Sequence, residues 1–138
     1  MEKKIFSVVI IDDERYNLDR MEQFAMAHDQ LSMLAGYCDP LLALDEILAK
    51  GQVVDFAFVD VNMPGMMGAE LLPLIRHLVR FPVYTTGMSI HRSAYFDPKR
   101  DFYLLKPFGF EKFCSAVEGI IEGYEKSVLE NALVVPIR

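Results

Sequence analysis

The chain alternates short apolar runs with segments whose apolar residues recur three and four positions apart. Residues 5–11 (IFSVVII) are nearly unbroken and rich in β-branched side chains, which predicts a strand buried on both faces. Asp12, Asp13 and Glu14 end that run. Leu18, Met21, Phe24 and Ala25 then recur at helical spacing, predicting a first helix over residues 15–28. A second strand is expected over residues 31–38. Asp39 followed by Pro40 reads as a cap with proline in the first helical turn. Leu41, Leu44, Ile47 and Leu48 supply the stripe of a second helix, and Gly51 stops it. A third strand is predicted over residues 54–60. Leu71, Leu72, Ile75, Leu78 and Val79 define a third helix, inside which Pro73 should remove a hydrogen bond or kink the first turns. Residues 82–86 form a fourth strand with its proline at the start, where one is tolerated. A short fourth helix over residues 89–96 is cut off by Asp97-Pro98, and a fifth strand follows at 102–105. Phe110, Phe113, Val117, Ile120, Ile121 and Tyr124 stripe a fifth helix.

Five apolar strands alternating with five helices call for an α/β fold: a doubly wound parallel sheet covered on both faces. In such sheets ligands sit beyond the carboxyl ends of the strands, at the switch in strand order. The residues at those ends are Asp12 and Asp13 after strand 1, Asp60 after strand 3, Thr86 after strand 4 and Lys106 after strand 5. Three acids, a hydroxyl and an amine therefore converge on one edge. Asp60 is the most telling of them. The run "FAFV" at residues 56–59 leads straight into a carboxylate and then a turn with Pro64 and Gly65. Asp60 either caps the following element or is a charge delivered by a buried strand. Asp12 and Asp13 have the same ambiguity with respect to the first helix, and Lys106 can be read as an ordinary surface lysine.

Composition narrows the function classes. At 138 residues, 52% of them hydrophobic, the chain suits one domain with a sizeable core. No apolar run reaches the roughly 20 residues of a membrane span, and the charged start followed by a short apolar stretch lacks a cleavage site. Two cysteines, Cys38 and Cys114, fit a reduced cytoplasmic setting better than a disulfide scaffold. The three histidines show no zinc-ligand spacing. The net charge of −6 and the absence of a Lys/Arg-rich run disfavour nucleic-acid binding by this chain alone.

"VVIIDDE", "FVDVNMPGMMG", "YTTG" and "FYLLKPF", in this order and spacing, resemble the receiver domain of bacterial two-component response regulators. The likeness covers residues 5 to about 125. "YTTG" and "YLLKPFGFEKF" look most like receivers of LytTR-type regulators. The departures are few: Met67 replaces an acid often found before Gly68, Phe102 stands where an aspartate usually precedes the tyrosine, and Pro98 and Lys99 alter the end of the fourth helix. The resemblance implies a flavodoxin-like strand order, 2-1-3-4-5, with five flanking helices. It implies a receiver over residues 1–126, and a tail or linker over 127–138 leading to an absent, possibly LytTR-type DNA-binding domain. A free-standing receiver with a tail is the other reading.

Three clustered carboxylates repel one another, and a hard divalent cation relieves that cost; oxygen ligands with retained waters suit Mg²⁺. The resemblance assigns Asp13 and Asp60 as direct ligands, Asp12 through water, and the backbone carbonyl of Asn62 as a further oxygen. It makes Asp60 the phosphoacceptor for a sensor histidine kinase, with Lys106 and the metal offsetting phosphoryl charge. Thr86 would donate to a phosphoryl oxygen, and Tyr103 would be the switch aromatic that fills the space Thr86 vacates. An ordinary half-buried strand tyrosine remains open for Tyr103. Asn62 and Met88 occupy positions that tune phosphoryl lifetime in the family. The Lys106-Pro107 bond is a candidate for cis. The implied partners are the kinase and a homodimer mate on the face of helix 4, strand 5 and helix 5. DNA contact is left to the absent domain, and no membrane partner is implied. Such a chain is a phosphoacceptor rather than a turnover enzyme. Two other functions compete: a receiver-like adaptor acting without phosphorylation, and an aspartate-nucleophile phosphatase. The phosphatase is disfavoured because Asn62 stands where those enzymes usually carry a second aspartate.

Overall fold

The computed structural model describes residues 3–87 and 95–133. Five parallel strands form one sheet in the order β2-β1-β3-β4-β5. They are β1 (Phe6–Ile11), β2 (Leu31–Tyr37), β3 (Val54–Asp60), β4 (Val79–Thr86) and β5 (Phe102–Leu105). Four α-helices lie among the described residues: α1 (Arg15–Ala27), α2 (Pro40–Lys50), α3 (Gly68–Ile75) and α4 (Phe110–Leu133). The expected fourth helix falls almost wholly on residues 88–94, which lie outside the described residues, as does Met88. Tyr95 and Phe96, which it would have included, are not helical. The expected fifth helix is therefore α4. It runs unbroken past Lys126 to Leu133, so the first residues of the expected tail continue the helix, and residues 134–138 are not described.

The chain divides into two compact units, residues 1–107 and 108–138. The sheet and α1–α3 belong to the first. Its pleat sends alternate residues to opposite faces. Val9, Ile11, Ala57 and Val59 pack with Ala43 and Ile47 of α2 and with Leu71, Leu72 and Ile75 of α3. On the other face Phe6, Phe56, Phe58 and Phe81 form a ring-on-ring cluster, with centroids 5.0–6.2 Å apart. Leu18, Met21 and Ala25 are the buried stripe of α1. In the second unit α4 buries Phe113, Val117 and Ile121 at four-residue spacing.

Local signals account for most boundaries. Asp39 caps α2 by accepting the Leu41 N–H at 2.9 Å, and Gly51 ends it at φ 60, where only glycine is at ease. The third helix is the main correction. It stops at Ile75, one 3₁₀ turn (Arg76–Leu78) follows, and Val79 already belongs to β4. Val79–Phe81 were competed for by two partners, and pairing with Val54–Phe56 of β3 won. Pro82 consequently sits inside β4 rather than at its start. β5 pairs only from Val83 onward, so the missing N–H costs no ladder bond on that side.

Candidate phosphoacceptor site

The register of the sheet assembles the site. Asp60 is the last residue of β3 and pairs with Thr85; Thr86 ends β4 and pairs with Leu105; Lys106 follows directly. Asp12 follows β1, its N–H donating to the Tyr37 carbonyl at 3.0 Å. Asp12, Asp60 and Thr86 are almost fully buried, and Asp13 is half-buried.

Lys106 ties the strand ends together. Its Nζ lies 3.2 Å from Asp12 Oδ2, to which it donates a hydrogen bond, and 3.4 Å from Asp60 Oδ1. Its peptide bond to Pro107 is cis. Burial pulls the Lys106 pKa down, but the carboxylates of Asp12 and Asp60 more than reverse this and raise it above its usual value, so the amine stays charged. Asp60 responds the other way. Burial first, and the Asp12 carboxylate second, push it up to about 6 against the opposing pull of Lys106. Among the described residues, the cluster thus holds more negative charge than Lys106 alone balances.

Asp12, Asp13 and Asp60 each contribute one oxygen to a group whose members lie within 4.8 Å of one another. Asp13 Oδ1 is buried and has no hydrogen-bond partner, an arrangement that costs free energy unless something supplies charge to it. An all-oxygen donor set with an orphaned carboxylate oxygen fits a hard divalent cation. Asp12 Oδ1 accepts the Glu14 N–H at 3.0 Å, a bond that shapes the turn before α1 and does not cap the helix, whose N-cap Glu14 has no side-chain capping bond. Asp13 makes no capping bond among the described residues either. Asp60 Oδ1 accepts the Asn62 N–H at 3.3 Å in addition to facing Lys106, while its Oδ2 takes no hydrogen bond from the described residues. Asn62 itself is exposed on the turn after β3.

Gly68 is a residue that the sequence reading passed over. A Cβ there would fall on the Asp60 carbonyl oxygen, 3.0 Å from the carbonyl carbon and 3.1 Å from Val61 Cα. The start of α3 is pressed against the backbone that carries Asp60, with the Gly68 N–H donating to the Val61 carbonyl at 3.0 Å. Glu70 takes the Met67 N–H at 3.0 Å, so α3 is capped even though Met67 has no capping side chain. Tyr103 is 37% exposed on β5, its ring edge-on to Phe96 at 5.6 Å between centroids. Thr86 pairs with Leu105 and Tyr103 with Tyr84, on the two strands that follow β3 in the sheet.

The model of the family described as "Response regulator receiver domain" matches residues 8–118, most of the chain. The chain belongs to that family. Among curated relatives, the receiver is 26% identical over 126 residues to the sensory transduction protein LytT of Enterococcus faecalis, covering 90% of this chain and 51% of LytT. It is 26% identical over 122 residues to the heme response regulator HssR of Staphylococcus aureus, covering 84% of this chain and 51% of HssR. The chain spans about half the length of the curated relatives it matches. Among solved structures it resembles the receiver domain of AraT from Geobacillus stearothermophilus, with a TM-score of 0.67, 26% identity, and coverage of 89% and 98% of the two chains. A CheX–CheY–BeF₃–Mg²⁺ complex from Borrelia burgdorferi gives a TM-score of 0.73 at 17% identity, covering 84% and 89%, and so speaks for the fold. No helix among the receiver's described residues is long and apolar enough to cross a membrane.

Proposed function

We propose that this receiver accepts a phosphoryl group on Asp60 from the phosphohistidine of a sensor kinase and changes conformation to control an output. The observation that carries this reading is the Lys106 amine set between Asp12 Oδ2 and Asp60 Oδ1, at 3.2 and 3.4 Å, beside the orphaned Asp13 oxygen. Asp60 Oδ2 attacks phosphorus in line with the leaving imidazole nitrogen. The P–N bond breaks as the P–O bond forms, and the released imidazole takes its proton from solvent. Asp60 must be ionised to attack, and its raised pKa leaves it so at neutral pH. Asp13, Asp60 and, through water, Asp12 would hold Mg²⁺ together with the Asn62 carbonyl, and the ion would supply positive charge to the phosphoryl oxygens. Lys106 offsets developing negative charge on the opposite side.

Once Asp60 carries the phosphoryl group as an acyl phosphate its carboxylate charge no longer faces Lys106, which turns from Asp60 to the phosphoryl oxygens while Asp12 stays within reach. Thr86 donates its hydroxyl to another phosphoryl oxygen, and Tyr103 moves into the vacated space. The residues of this chain act as phosphoacceptor machinery rather than as a turnover enzyme. The domain is proposed to end near residue 126, with the following residues leading toward an output segment. The resemblance to LytTR-type regulators favours control of transcription, in a cytoplasmic setting. Intact-mass analysis after treatment with a small phosphodonor and Mg²⁺ tests the reading. A gain of one phosphoryl group, labile as an acyl phosphate and mapped to Asp60, is expected. No gain, together with no response to beryllofluoride, would leave an adaptor that works without phosphorylation.

A further inference from the structure

At the amino-terminal end of β4, remote from Asp60, a trough of about 310 Å³ opens along the strand before its pairing with β5 begins. β4 spans eight residues, so this end lies about 23 Å from Thr86 at the usual rise per residue. Phe81 and Phe102 line the trough, their rings edge-on at 6.5 Å, and Phe102 is 38% exposed. Arg76, Arg80, Lys99 and Arg100 border it. Four of the chain's 14 basic residues thus meet at one place in a molecule of net charge −6.

Two of these cations already face carboxylates. Arg76 donates to Asp101 through Nε at 3.2 Å and Nη2 at 2.6 Å, and Arg80 Nε lies 3.5 Å from Asp55. Lys99 and Arg100 form no ion pair among the described residues, and both are exposed. They are nonetheless held in place. The Asp101 carboxylate, with no exposed side-chain surface, also accepts the Asp97 N–H at 2.9 Å. Asp97 in turn accepts the backbone N–H groups of Lys99, Arg100 and Asp101 at 2.7–3.0 Å. A buried ion pair is a costly device for pinning a surface turn, since both charges must be taken out of water. Here it anchors the backbone of a turn that carries two cations with no ion pair among the described residues, beside an aromatic floor, so less of the binding surface must be ordered on association.

We propose that this trough is a docking surface for an extended, acidic segment of a partner protein, whose carboxylates meet Lys99 and Arg100 while apolar side chains rest on Phe81 and Phe102. The trough is open along its length rather than enclosed. That suits a chain lying across it better than a small ligand, which needs most of its surface covered. The surface is independent of the Asp60 chemistry and stands or falls separately from it.

The test uses a fluorescent peptide of alternating glutamate and valine, with glutamine–valine and lysine–valine peptides of equal length as comparators. The acidic peptide should bind about tenfold tighter than the glutamine version, and its affinity should fall as salt rises. Amide shifts should move at Val79, Phe81 and Lys99–Phe102. Lys99→Glu combined with Arg100→Glu should weaken binding about tenfold or more, and Lys99→Gln with Arg100→Gln by less. Both variants should keep the parent's circular dichroism spectrum and melting temperature, which shows that they are folded. The proposal is overturned if the acidic peptide does not bind, binds no better than the glutamine peptide, or is indifferent to both variants. It is likewise overturned if pyrophosphate alone matches the peptide at the same resonances, which marks a small-anion site, or if dilution of the protein alone moves them, which marks a second copy as the occupant.

Discussion

Asp60 and Asp13 carry different burdens in the acidic cluster, and substitutions separate them. Asp60→Asn keeps the shape of the side chain and removes the proposed nucleophile, so phosphorylation should fall below detection in intact-mass analysis while circular dichroism stays native. The same variant should be more stable than the parent when metal is chelated. Asp60 titrates at about 6 in the fold against 3.8 for an ordinary aspartate, so the native state holds that proton more tightly than the unfolded chain does. Stability contributed by such a group falls as pH rises from about 4 to about 6 and is fully lost above that. At about 1.4 kcal/mol per unit, the Asn variant should gain on the order of 2–3 kcal/mol at pH 7.5 and almost nothing near pH 4. Urea unfolding in EDTA at the two pH values measures this, and parallel behaviour of the two proteins would contradict it. Asp13→Ala removes the orphaned oxygen, so a single weak Mg²⁺ site in the parent should become undetectable by titration. Unchanged Mg²⁺ affinity would remove Asp13 from the ligand set. Asp12, Asp13, Asp60, Thr86 and Lys106 were legible in the sequence because each lies at, or within two residues after, the carboxyl end of an apolar strand. Gly68 was not. Its role is a close approach between segments that no local pattern encodes.

Among the elements, α3 is where propensity and packing conflict most directly. Replacing a helical glycine by alanine ordinarily gains up to about 1 kcal/mol. At Gly68 the new Cβ would strike backbone atoms of Asp60 and Val61, which cannot rotate away as a side chain could. Gly68→Ala should therefore lose about 1–3 kcal/mol, the range for overpacking, and slow phosphorylation by displacing Asp60. Gly123→Ala on α4 is the matched control. Its Cβ meets nothing within 4 Å, so the propensity gain should appear undiminished. Thermal melts of both variants decide the matter, and a stabilised Gly68→Ala would refute the contact. The boundary of α3 shows the same competition. Leu78 and Val79 continue the apolar spacing of a helix, yet β3 claims Val79 and its neighbours as ladder partners. Propensity is a weak prior, and long-range pairing overrode it.

For the molecule as a whole, the proposed phosphorylation of Asp60 carries a prediction about assembly. A ligand shifts a two-state equilibrium only by its differential affinity for the two states. New bonds from the phosphoryl group to Thr86 and Lys106 would provide that difference, drawing the exposed Tyr103 ring inward. Sedimentation with and without beryllofluoride should show a change in self-association, accompanied by chemical-shift changes at Tyr103. An identical monomer in both states, with Tyr103 unmoved, would mean that this chain does not signal by dimerising. By itself the sequence determined the α/β class, the five strands and the identities of the residues at their carboxyl ends. Hydrophobic period and turn residues act over a few positions and survive without tertiary context. Only the tertiary structure decided where β4 begins, that Lys106 stands between Asp12 and Asp60, that an Asp13 oxygen is left unpartnered, and that Arg76 and Asp101 pin a basic turn. Each of these joins residues distant in the chain. Their energies come from burial and Coulomb interaction across the fold, which the spacing of residues along the sequence does not contain.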